Sequence, residues 1–120
     1  MMLASMVLVA LVAIEHVYIL VLEMFLWTTP RARKSFGLTE RFAEESKSLA
    51  ANQGLYNGFL AAGLAWGLLH PDAMFGRQIQ LFFLACVIIA AIYGGATAKK
   101  SILIVQGLPA LAALIAVLLS

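Results

Sequence analysis

Four times along this chain, at 3–27, 49–69, 74–98 and 101–119, a long run of mostly apolar residues proceeds with scarcely a break. A helix rising 1.5 Å per residue needs about 20 such residues to cross the hydrocarbon core of a bilayer. Only helices and closed barrels satisfy their backbone polar groups internally in lipid, and these runs are too long and too evenly apolar for barrel strands. The pattern predicts an all-α membrane protein, a four-helix transmembrane bundle forming a single domain over residues 1–120. Composition agrees, with 63% hydrophobic and 12% charged residues and a mean hydropathy of +0.98. Soluble domains run nearer about 45–50% and about 25%. A soluble enzyme and a disordered tail are thereby excluded. The single cysteine, Cys86, excludes an internal disulfide and a cysteine-built zinc site. A net charge of +2 is too small and too localised for a nucleic-acid partner.

The basic residues predict an orientation. Arg31, Arg33, Lys34, Arg41 and Lys47 lie between the first two runs and Lys99 and Lys100 between the last two, leaving only Arg77 for the other side. Under the positive-inside rule the seven mark a cytoplasmic face, so both termini are expected outside the cytoplasm. The first run lacks a basic flank and carries Glu15 and His16 at its middle, so cleavage as a signal peptide is not expected. The loop 28–48 is expected to lie at the cytoplasmic interface. Pro30 should end the first helix, and Thr39 should cap a helix starting at Glu40 that feeds into the second span. Arg41 with Glu45, and Glu44 with Lys47, have helical spacing for ion pairs. His70-Pro71-Asp72 reads as a short external turn.

Ionisable groups within a span are costly and are functional candidates by default. The first span carries Glu15, His16 and Glu23. At about 100° per residue, Glu23 and Trp27 fall within about 20° of the line through His16, while Glu15 and Tyr18 form a neighbouring stripe. The second span opens with Asn52, Gln53, Tyr56 and Asn57, two adjacent i, i+4 stripes. Gln106, in the fourth span, falls at a similar depth, roughly 6–8 Å below the cytoplasmic boundary. Glu15, His16, Glu23, Asn52, Gln53, Tyr56, Asn57 and Gln106 are thus the expected ligand-binding residues of a pocket in the cytoplasmic half. A hydrogen-bonded cluster of Glu23, Asn52 and Tyr56 is expected between the first two spans. His16 is assigned to the inner pocket and Glu15 to the adjoining wall. Structural readings stand beside these: Gln106 precedes Pro109 and can satisfy a proline kink, while Trp27, Trp66 and Tyr93 suit interfacial belts. No metal site and no cofactor are expected, since His16 and His70 lie far apart in depth.

Glu15-His16 followed by Glu23-Met24 and Trp27, then Asn52-Gln53-Gly54-Leu55-Tyr56-Asn57-Gly58-Phe59-Leu60-Ala61, resembles a bacterial family of small four-span integral membrane proteins known only as a domain of unknown function. Gln106-Gly107-Leu108-Pro109-Ala110 is similar to the same family. The resemblance implies a multi-pass protein of the bacterial plasma (inner) membrane and implies no activity.

Three functions remain open from the residues. One is a protein that binds or transports a small hydrophobic or cationic ligand, or an ion. Another is a small membrane enzyme using Glu15, His16 or Glu23 for acid–base chemistry on a lipid-delivered substrate. The third is an accessory subunit packing through the Gly54/Gly58 and Gly63/Gly67 pairs, which let helices approach closely. Four spans leave little room for a cavity within one chain, so a homo-oligomer is expected. Its partner otherwise is the lipid bilayer.

Overall fold

The computed structural model describes residues 2–120, and all regular structure among them is helical. The order is α1 (Met2–Met24), α2 (Pro30–Phe36), α3 (Glu40–Leu69), α4 (Ala73–Thr97), α5 (Lys100–Ile102), a π turn (Leu103–Gly107) and α6 (Leu108–Leu119). Three stretches are long and apolar enough to cross a membrane: Met2–Met24, Ala73–Thr97 and the continuous Lys100–Leu119. The second expected span lies inside α3, which begins with charged turns at Glu40–Ser48. At 30 residues it is about 45 Å long, more than a bilayer core requires.

The chain divides into two compact units. The first comprises Met1–Ile14 and Leu60–Ser120, the second Glu15–Phe59. In the first, one buried cluster draws Val9 and Val12 from α1, Leu64 from α3, Leu84 and Val87 from α4, and Ala110, Ala113 and Val117 from α6. Its buried positions are dominated by Val and Ala, while Leu3, Leu11, Ile14, Phe82, Ile89 and Ile92 point outward. Lipid is as apolar as leucine, so helices in it associate by close packing of small side chains, and large ones can be left to the acyl chains. In water the same outward surface would be an aggregation-prone patch.

The Gly63/Gly67 pair works within this unit. Gly63 lies under the Phe83 ring, and a Cβ on Gly76 would stand 2.6 Å from the Gly67 carbonyl oxygen. Gln80 Nε2 donates to that carbonyl at 3.1 Å. The turn between α3 and α4 is fixed by Pro71 and by Asp72, whose Oδ1 accepts from the backbone N–H of Met74 (2.9 Å) and Phe75 (3.1 Å). At the other end, the π turn Leu103–Gly107 precedes Pro109. A proline cannot donate into the helical ladder and its ring crowds the carbonyl one turn back; a π turn absorbs the mismatch.

In the second unit the connection differs from expectation in two respects. α1 ends at Met24 rather than Trp27, and Pro30 begins α2 instead of stopping α1. At the first helical position proline lacks only an N–H that would be unbonded anyway. Thr29 supplies the N-cap, its Oγ1 accepting from Ala32 N at 3.4 Å. Gly37, at φ 67°, closes α2 in the left-handed conformation with its N–H on the Arg33 carbonyl. Thr39 caps α3 as expected, Oγ1 accepting from Phe42 N at 3.1 Å. The ion pairs Arg41–Glu45 (3.7 Å) and Lys47–Glu44 (2.6 Å) form as their spacing requires.

Candidate functional site

Glu23 occupies the last turn of α1 and is only 1% exposed. Its setting is made by a missing side chain. A Cβ on Gly54 would meet Met24 Cγ at 2.7 Å, Glu23 Cβ at 3.0 Å and the Leu20 carbonyl oxygen at 3.3 Å, so only glycine lets α3 lie this close to α1. Gly58 one turn on faces Leu20. The approach brings two carboxamides onto the carboxylate: Gln53 Nε2 donates to Glu23 Oε2 at 2.8 Å, and Asn57 Nδ2 to Oε1 at 2.6 Å. Each carboxyl oxygen accepts from one amide nitrogen, which leaves the carbonyl oxygens of Gln53 and Asn57 as further acceptors.

A cleft of about 300 Å³ opens beside Glu23, lined also by Trp27, Thr28, Lys47, Ser48 and Ala51. Trp27 braces it. Its Nε1 donates to Ser46 Oγ at 3.0 Å, and its ring meets that of Phe36 at 4.9 Å between centroids. Ser46 passes its own hydroxyl hydrogen to the Phe42 carbonyl at 2.6 Å. Trp27, read from sequence as a belt residue, is therefore a wall of the cleft. Its i, i+4 spacing from Glu23 was the available signal.

The expected cluster of Glu23 with Asn52 and Tyr56 does not form. Both side chains are exposed, Tyr56 standing edge-on to Phe59 at 5.6 Å. The reason lies on the helical wheel. Asn52 and Tyr56 are each about 160° from Gly54, whereas Gln53 and Asn57 are about 100° and 60° away. Once Gly54 faces α1, the other stripe must turn outward. Of the remaining candidates, His16 is buried at 1% exposure and Glu15 is half-buried with its Oε1 enclosed and unbonded. Tyr18, on the Glu15 stripe, turns outward and accepts from Arg31 Nε at 3.0 Å. Gln106 lies half-buried on the π turn of the first unit. Among the described residues no three His, Cys, Asp or Glu are placed to hold a metal ion.

The Gly54/Gly58 and Gly63/Gly67 pairs are both taken up by contacts within the chain. The accessory-subunit reading used those faces for packing onto a partner, whereas here they pack against this chain's own residues.

An uncharacterised protein of Lactococcus lactis subsp. lactis (strain IL1403), YpaA, is 33% identical over 117 residues, covering 96% of this chain and 97% of that one. No solved structure matches the chain. The family described as "Protein of unknown function (DUF1304)" matches residues 10–118, nearly the whole length. With both the Glu-His pair of α1 and the Asn52–Ala61 run inside that match, the chain belongs to the DUF1304 family.

Proposed function

We propose that this chain is a single-domain, four-span protein of the bacterial plasma membrane that binds a small cation, such as a protonated amine, at Glu23. The observation that carries this reading is the enclosed Glu23 carboxylate, bonded by Gln53 and Asn57 and lining a cleft. The cleft offers the Glu23 carboxylate and the Thr28 and Ser48 hydroxyls as acceptors, Lys47 in its lining is already paired with Glu44, and the Trp27 ring adds a surface on which cations rest. α3 supplies the fourth span through its apolar part, 49–69. The basic residues of α2, α3 and the α4–α5 junction then put the cleft on the cytoplasmic side and both termini outside.

Transport rather than simple binding is supported by Glu15, whose Oε1 is enclosed without a hydrogen-bond partner at the middle of the same helix. A buried carboxylate oxygen left unbonded is expensive, and a proton or ion in transit would satisfy it. The test is a titration of the purified protein in nanodiscs, with Trp66 replaced by Phe so that Trp27 fluorescence alone reports. Methylammonium should saturate the signal, and methanol, its neutral isostere, should not. An equal response to both would overturn the cation reading.

A further inference from the structure

Five basic residues stand between the end of α1 and the middle of α3, and three of them have carboxylate partners. Arg33 lies 3.9 Å from Glu40, Arg41 3.7 Å from Glu45 and Lys47 2.6 Å from Glu44. Arg31 and Lys34 have none among the described residues, and both belong to α2. Three residues apart, they share one face of that helix, while Ala32, fully buried, faces the protein. The Thr29 cap, Pro30 at the first turn and Gly37 at the last fix α2 at seven residues, so this face is held rather than trailing.

Arg31 is aimed in an unusual direction. Its Nε donates to the Tyr18 hydroxyl at 3.0 Å, and its guanidinium carbon sits 5.7 Å from the centre of the Tyr18 ring. Tyr18 lies six residues before the end of α1, about 9 Å back along the helix. The guanidinium is thus drawn back alongside the membrane-crossing helix. Its remaining N–H groups meet no carboxylate among the described residues. Phe25 and Phe42, 71% and 54% exposed, add apolar flanks to the same unit.

We propose that Arg31 and Lys34, set by Tyr18, form a site for the phosphate of an anionic phospholipid headgroup. A planar guanidinium matches two phosphate oxygens at once, and the lysine adds a mobile point charge. Two unmatched positive charges favour headgroups that carry no compensating amine. The site is separate from Glu23 and depends only on α1 crossing the bilayer.

The experiment uses the full chain in phosphatidylcholine nanodiscs doped with phosphatidylglycerol, with protein-associated lipid counted by native mass spectrometry. Arg31→Gln with Lys34→Gln should lower phosphatidylglycerol retention at least about tenfold, the loss of a charge-assisted contact to phosphate. Lys99→Gln with Lys100→Gln, which removes as much charge elsewhere, should change it less than about twofold if the site is specific rather than a diffuse field. Tyr18→Phe keeps the ring and every charge, so it tests the site without threatening the fold, and it should weaken retention measurably. Equal losses from the two charge pairs, or no loss from the first, would overturn the site. Inorganic phosphate binding just as well to the protein in phosphatidylcholine alone would overturn the lipid as its source.

Discussion

Asn57 donates to Glu23 at 2.6 Å across thirty-four positions of sequence, and the contact exists because Gly54, three residues before Asn57, has no side chain. One small residue thus decides which polar stripe of α3 meets α1. A direct consequence is an asymmetry between neighbours. Asn57→Ala leaves a buried carboxyl oxygen without its partner and should cost about 1–3 kcal/mol. Asn52→Ala, on the outward stripe, should stay within about 0.5 kcal/mol. Unfolding in mixed micelles measures both, and equal costs would refute the assignment of stripes.

Glycine substitutions should separate backbone crowding from side-chain crowding. Gly76→Ala places a methyl 2.6 Å from the Gly67 carbonyl oxygen, and neither backbone can yield cheaply. A loss of about 1–3 kcal/mol is expected, typical of overpacking. Gly58→Ala meets only the Leu20 Cδ1 tip at 2.6 Å. Leu20 can rotate away, and the gain in helix propensity, up to about 1 kcal/mol, should leave that variant near neutral. Thermal inactivation of the two proteins side by side reads the difference.

Pro109 is the cause assigned to the π turn at Leu103–Gly107. Pro109→Ala restores a backbone donor and removes the ring, so the segment should relax to regular α-helix. Amide hydrogen exchange across 103–107 should then slow relative to wild type. Unchanged exchange would place the cause elsewhere.

The orientation is checked by reporter fusions. A fusion after Ser120 should report the non-cytoplasmic side, and one inserted at Gly37, between α2 and α3, the cytoplasmic side. A cytoplasmic C-terminus would reverse the positive-inside reading, and with it the side on which the cleft opens.

Much of the architecture was legible in the residues because apolar run length is a strong signal: α4 at Ala73–Thr97 and the final helix at Lys100–Leu119 fall within a residue of their expected limits. The Thr39 cap and both ion pairs of early α3 were legible for the same kind of reason, since each rests on short-range spacing. Pro30 was misread because proline is both a helix stop and a preferred first residue. Only the Thr29 hydroxyl, bonded forward to Ala32 as the cap of α2, decides between the two. The site was half legible. Depth alone matched Glu23 to the opening of the second span, but depth does not distinguish Gln53 and Asn57 from Asn52 and Tyr56. Their angle from Gly54 does, and that angle was present in the sequence. The role of Trp27 was legible only in part: its spacing puts it on the Glu23 stripe, but its partner Ser46 lies on a charged stretch with no apolar pattern to mark its face.

The central claim, a cation held by Glu23, is tested most directly by Glu23→Gln. This variant keeps the size of the side chain and one acceptor oxygen while removing the charge. Methylammonium affinity, measured in nanodiscs by Trp27 fluorescence, should fall at least about tenfold, as loss of a charge-assisted contact implies. Asn52→Ala, measured alongside, should bind as wild type. Wild-type affinity in Glu23→Gln would contradict the account.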